Sequence, residues 1–220
     1  RRPRRCPPGP PWGEGAGAAY GPLGNNSLAT NVKNTASVTG KGNYIGGLGG
    51  YLKSVAASVR TVSYGYNIAS VNGSETSSYV GGIMGRGDGA VEYTYAAGES
   101  GTITVTGGAN VGGLVGYIDK NIAISYSYAC ADVTGVEKLA GGVKPGVNII
   151  YTNSYYLTEA GNEEDTKAKT ADSFASGEVA WLLGGGDGIR NTTWSQEKGK
   201  LPTLVSNKPV FKANIIKGIA

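Results

Sequence analysis

Histidine is absent from the 220 residues. That removes the commonest general base and the commonest metal ligand. Cysteine is nearly absent. Cys6 sits in a proline-rich opening and Cys130 in a strand-like segment, so no disulfide between them is expected, and two thiolates alone make no zinc site. The HExxH, P-loop and GxSxG patterns are missing. No apolar run reaches the ~18 residues of a membrane-spanning helix, and no signal peptide is visible. The net charge of +4 comes from the opening: Arg1, Arg2, Arg4 and Arg5 are four of the 20 basic residues, and the rest balance the 16 acids. The body therefore lacks the basic face of a nucleic-acid binder. The chain opens on Arg1, and Met84 is its one methionine. It is expected to be a fragment or processed product, whose missing ends hold the export and anchoring signals and any membrane contact.

What is abundant is glycine, with 38 copies, followed by 14 tyrosines. Glycine without a G-X-Y period excludes collagen. A hydrophobic content of 40% is enough for a packed core. Residues 1–24 are rich in Pro, Arg and Gly, without periodicity, and are expected to be a disordered tail.

Residues 25–157 hold an internal repeat marked three times over. The first mark is a double-glycine box: Ile45-Gly46-Gly47-Leu48-Gly49-Gly50-Tyr51, Val80-Gly81-Gly82-Ile83-Met84-Gly85, and Val111-Gly112-Gly113-Leu114-Val115-Gly116-Tyr117. Ala140-Gly141-Gly142-Val143 is a weaker copy. The second mark is an alternating tyrosine segment, as in Val62, Tyr64, Tyr66; Val91, Tyr93, Tyr95; Ile124, Tyr126, Tyr128; and more loosely Ile149, Tyr151, Tyr155. Each set reads as one face of a period-2 strand. The third is a Val-[Thr/Asn]-Gly ending at Val38, Val71, Val105 and Val133, where glycine could turn the chain with φ > 0.

Units of ~30 residues with about three short strands signal stacking, because one unit cannot bury its apolar face alone. The expected fold is all-β: a parallel β-helix-like solenoid of glycine-rich repeats. A β-sandwich would also show short strands with glycine turns, but the regular spacing favours the solenoid. Like positions then form columns, so Tyr66, Tyr95 and Tyr128 should stack, turned either inward as core or outward as a sugar-binding surface.

Residues 158–170 are polar and read as a linker. Phe174, Ala175, Val179, Leu182 and Leu183 share a helical face, with Asp172 or Ser173 as N-cap and Gly184 past the end. Trp194 and the run from Leu201 to Val205 suggest two short strands. Residues 171–212 are read as a cap over the solenoid's open end, followed by a tail at 213–220.

The boxes resemble the GLUG motif of bacterial surface and secreted proteins, which include adhesin-like proteins and the non-catalytic parts of immunoglobulin-A-cleaving metallopeptidases. Gly112, Gly113, Leu114 and Gly116 give the best copy; Gly46, Gly47 and Leu48, then Gly81, Gly82 and Gly85, give the others. Asn153-Ser154-Tyr155-Tyr156-Leu157 is similar to the family's last-repeat ending. Ser176 to Leu183, Trp194-Ser195-Gln196 and Leu201-Pro202-Thr203-Leu204 are similar to its C-terminal segment. The resemblance implies a surface or secreted location, a β-helix-like fold and no reaction.

Few residues could carry chemistry. Arg86-Gly87-Asp88 is a candidate integrin-binding tripeptide where a turn is expected, weighed against chance in a glycine-rich chain. Residues 184–189 faintly suggest a calcium nonapeptide, but that site needs tandem copies, so a helix stop is favoured. Glu163-Glu164-Asp165 reads as a solvated charge run. Arg60, Lys120, Asp132 and Lys138 are of the type that polysaccharide-cleaving β-helices use, without a pattern. The chain is therefore read as a non-catalytic structural or adhesive module, needing no cofactor. Its expected partners are a host or matrix protein or a cell-surface glycan, and no nucleic acid. The alternatives are a polysaccharide-binding or -cleaving domain, and an accessory segment of a larger secreted peptidase.

Overall fold

The computed structural model of the chain describes residues 15–17, 29–53, 60–99, 101–135, 138–162, 165–186 and 193–205. The remainder of the two expected tails, Cys6, Glu163, Glu164, residues 187–189 and the side chain of Arg60 lie outside the described residues.

Short strands wind into a β-solenoid of about four turns. Each strand pairs in parallel with its equivalent one coil on. A complete coil carries five strands, not the three expected: Arg60–Ser63, Tyr66–Asn67, Val71–Gly73, Ser78–Gly81 and Met84–Gly87 in the second coil. Stacked, they give five parallel sheets, here A to E in coil order. Sheets B and C share the long strand Tyr128–Val133.

The register explains the core. In sheet A, Ala29, Val62, Val91 and Ile124 lie in one column. In sheet C the column is Val38, Val71, Val105 and Val133. In sheet D it is Ile45, Val80 and Val111. All but the half-buried Val133 are buried. Burying one such side chain is worth about 1.5–3 kcal/mol, so the columns supply the main driving force.

The box glycines serve close approach. A Cβ on Gly46, Gly81 or Gly112 would lie 2.2, 2.0 and 2.2 Å from the carbonyl oxygens of Gly49, Met84 and Val115. None of these glycines has positive φ. The third mark behaves likewise: Gly40 and Gly73 are strand residues, and of the four ending glycines only Gly135 has positive φ, at 100°. The left-handed corners belong instead to Asn31, Tyr64, Tyr93, Tyr126 and Asn153 between sheets A and B, with φ of 44–54°, and positive φ also occurs at Tyr79 and Asn110 inside the sheet D strands Ser78–Gly81 and Ala109–Gly112. The set Val62, Tyr64, Tyr66 is thus not one strand face: Val62 lies in sheet A, Tyr64 turns the corner, and Tyr66 opens sheet B.

The fourth box is out of register with the others. Ala140 pairs with Val115 and Gly142 with Tyr117, and Leu114 N–H donates to Leu139 O. Leu139-Ala140-Gly141 is therefore the true equivalent of Leu114-Val115-Gly116, and Lys138 stands where Gly113 did. The second glycine of the doublet, Gly142, lies four residues past Lys138 and pairs with Tyr117.

The termini also differ from expectation. Gly15–Gly17, in the supposed tail, pairs with Tyr44–Gly46 and extends sheet D. The supposed linker contains Ala168–Lys169, which pairs with Tyr155–Leu157 at the end of sheet B. The expected helix is two short ones, α1 (Ala171–Ser176) and α2 (Glu178–Leu183), broken at Gly177 with φ 99°. Thr170 is the N-cap, its hydroxyl accepting from Ser173 N–H, and Gly184 is the C-cap of α2. The expected strands form a hairpin, Trp194–Ser195 against Thr203–Leu204. The described part of this segment, residues 171–186 and 193–205, lies against the solenoid's flank. It packs on the outer face of sheet B, because Phe174, Val179, Leu183 and Trp194 find a matching apolar surface there in Tyr95, Ala97, Tyr128 and Cys130. Among the described residues there are thus two apolar cores, one inside the coils and one on their flank.

Candidate binding groove

The residues that sequence reasoning singled out separate into two places. The box residues Gly46, Gly47, Leu48, Gly81, Gly82, Gly85, Gly112, Gly113, Leu114 and Gly116 are buried between coils. Leu48, Ile83 and Leu114 point into the core, and the glycines touch the neighbouring backbone.

Arg86 and Gly87 are in a strand, not the expected turn, and Asp88 follows directly. Asp88 is 2% exposed. Its Oδ2 accepts from Tyr51 Oη at 3.2 Å and lies 3.8 Å from Lys120 Nζ. Arg86 pairs with Asp119 and lies over the Tyr51 ring, 4.8 Å from its centroid. Burial, then the Asp88 charge, pushes the Tyr51 phenol up to about 12. Burial likewise raises the Asp88 carboxyl, with Lys120 opposing. Gly87 has a packing reason of its own: a Cβ there would meet Met84 Cε at 2.6 Å. Across the coils, Gly49 with Leu52 becomes Met84 with Gly87 and then Val115 with Ile118. In the first two of these coils a large residue at one position answers glycine at the other, and in the third both positions are apolar side chains.

The polysaccharide-cleaving candidates are not brought together. Arg60 is on sheet A, Lys120 follows sheet E beside Asp88, and Asp132 accepts from Thr102 Oγ1 on the outer surface. Lys138 precedes the last strand of sheet E. Among the described residues no group of three or more His, Cys, Asp or Glu could hold a metal ion.

Two features were missed. One is a buried polar ladder: Asn34 Nδ2 donates to Asn67 Oδ1 at 2.8 Å, and Asn67 Nδ2 donates to Gly82 O at 2.9 Å. The recurrence of Asn at equivalent positions was the available signal. The other is a groove on the flank, of about 460 Å³.

The outward column of sheet B is Lys33, Tyr66, Tyr95, Tyr128 and Tyr155, which the register places one per coil, and the groove is built on its first four members. The rings of Tyr66 and Tyr95 stack at 4.8 Å and 3°, and those of Tyr95 and Tyr128 at 5.2 Å and 2°. Trp194 and Phe174 cover Tyr128 at 5.6 and 5.4 Å, and Tyr128 Oη donates to Pro202 O at 2.5 Å. Burial lifts the phenols of Tyr95 and Tyr128 well above the ordinary tyrosine range. The same burial raises the Cys130 thiol, which keeps it inert. The hairpin covers the far end of the ladder and leaves Tyr66 and Lys33 toward the opening. The apolar Ile68 and Leu201, Gly98, and the polar Thr35, Glu99, Ser195, Glu197, Lys200 and Thr203 complete the walls.

Compared with known proteins, the chain matches no family model and no curated protein sequence. Its fold is similar to the crystal structure of a putative immunoglobulin A1 protease from Bacteroides ovatus, with 22% identity and a TM-score of 0.54. The match covers 87% of this chain and 63% of that one. That likeness shows a shared β-solenoid architecture.

Proposed function

We propose that this chain is a non-catalytic structural and adhesive module of an extracellular bacterial surface or secreted protein, of the GLUG-repeat kind. One observation carries the reading: the box residues are consumed in holding coil against coil. Gly82 illustrates it, since a Cβ there would lie 2.1 Å from Gly113 O of the next coil. A motif spent this way makes a stiff stack whose length grows with repeat number and whose outer faces are left for contact. The module works without a cofactor and does not engage nucleic acid.

A second reading makes the module an accessory segment of a larger secreted peptidase. It is supported by the solenoid neighbour, whose chain is longer than the matched part. Both readings give the chain itself no cleaving activity. Purified chain incubated with immunoglobulin A1 should leave the heavy chain intact on a denaturing gel. New fragments that appear in step with chain concentration would overturn the non-catalytic assignment. Antibody against the chain should label intact producing cells or their medium; signal only after permeabilisation would overturn the extracellular one.

A further inference from the structure

We infer that the open end of the Tyr66–Tyr95–Tyr128 ladder is a binding site for a neutral hexopyranose ring of a glycan. The inference rests on the adhesive reading above and gives it a ligand class. Tyr95 has a ring on either side, and Tyr128 is met by Phe174 and Trp194 as well as by Tyr95. Tyr66 stacks on Tyr95 on one side. On the other, the register puts Lys33 in the place of a further tyrosine. Lys33 is exposed, and among the described residues no ring or cation lies over that second face of Tyr66. The stack therefore stops one ring short, inside a groove of about 460 Å³, within the range of small-ligand sites.

The groove's chemistry selects the occupant. A ring seated at the ladder's end gains stacking contact of the kind that joins the tyrosines. Beside the apolar Ile68 and Leu201, the lining carries the polar Lys33, Thr35, Glu99, Glu197, Lys200 and Thr203. Two lysines and two glutamates balance, so neither a polyanion nor a cationic peptide gains net attraction. A hydroxyl-rimmed ring both donates and accepts, and so can serve lysine, glutamate and threonine together. An apolar side chain would stack equally well but would strip water from those charges without replacing it. A pyranose offers both a flat C–H face and that polar rim.

The test uses the full chain and neutral hexaoses of β-linked glucose, β-linked galactose and α-linked mannose, with a heparin hexasaccharide and a tryptophan-containing peptide as charged and apolar controls. Binding is followed by calorimetry and by saturation-transfer NMR. At least one neutral hexaose should bind with a dissociation constant in the millimolar range or below, and the controls should not. Lys33→Tyr should complete the ladder from within, weakening that binding at least about tenfold while leaving the melting temperature unchanged or raised. Tyr66→Ala should weaken it as well. Lys33→Tyr keeps the test open if Tyr66→Ala fails to fold. Failure of every neutral hexaose, binding that survives Lys33→Tyr, or preference for heparin or the peptide would each overturn the inference, and none touches the structural module. Cleavage of a bound hexaose would do the reverse, sustaining the site and sinking the non-catalytic reading.

Discussion

Two tyrosine ladders run side by side over the same coils, two residues apart in sequence, with opposite fates. Tyr64, Tyr93 and Tyr126 stack at 4.9 Å with interplanar angles of 10° and 7°, on the corner between sheets A and B, and Tyr64 is 37% exposed. Tyr66, Tyr95 and Tyr128 stack as tightly, but Trp194, Phe174 and Pro202 cover them progressively, until Tyr128 is fully buried. The open ladder occupies left-handed backbone, which costs a non-glycine residue about 1–2 kcal/mol. Each stacked pair returns about 0.5–1.5 kcal/mol. Stacking there roughly offsets corner strain. In the covered ladder the backbone is unstrained strand, and burial adds to stacking. Identical side chains at the same repeat therefore act as corner braces in one column and as a docking surface in the other.

The largest test is truncation. Tyr128→Ala should destabilise the fold by about 3–5 kcal/mol, because it opens a cavity under Trp194 and Phe174. Tyr93→Ala should cost about 1–2 kcal/mol, chiefly the two lost stacks. Urea unfolding with matched m-values measures both; equal costs would break the distinction between the ladders.

Alkaline stability separates them next. Burial holds the Tyr95 and Tyr128 phenols protonated in the folded chain well above the ordinary range. Once the pH passes the unfolded value near 10, the unfolded state releases protons that the folded state keeps. Stability should then fall with rising pH, by about 1.4 kcal/mol per unit for each such group. Tyr95→Phe should reduce that slope. A slope unchanged by the substitution would show that the covered ladder is not the sensitive element.

The unequal covering also shows what a sequence can disclose. Stacking was legible because columns follow from a repeat whose apolar residues and glycines recur together. The boxes at Gly46, Gly81 and Gly112 fixed the coil spacing, and the columns at Val62, Val71 and Val80 followed. The fourth box misled because glycine doublets are common in this chain; only strand register shows that Leu139 follows Leu114. The corners misled because left-handed φ was assigned to glycine, whereas stacking lets tyrosine hold it. The groove was not legible at all. It arises where a distant downstream segment folds back onto sheet B, as Tyr95 meets Trp194 at 6.0 Å, and no local pattern encodes that approach.

The covering itself can be probed by one atom. Tyr128→Phe keeps the ring and its stack and removes only the hydroxyl that donates to Pro202 O. Leaving that buried carbonyl without its donor should cost about 1–2 kcal/mol, and the fluorescence of Trp194 should report loosening of the hairpin.

The smallest effect belongs to the open ladder's end. Asn31 and Asn153 occupy the same corner column as Tyr64, with φ of 54° and 44°. Asparagine tolerates that backbone better than tyrosine does. Tyr64→Asn exchanges one stacked pair for relief of strain, so its net cost should stay below about 1 kcal/mol. The corner would then need a left-handed residue more than it needs a ring, and tyrosine's recurrence there would reflect a preference for stacking where neighbours exist to stack upon. A melting temperature lowered as far as Tyr93→Ala lowers it would instead make the ring the essential part of the brace.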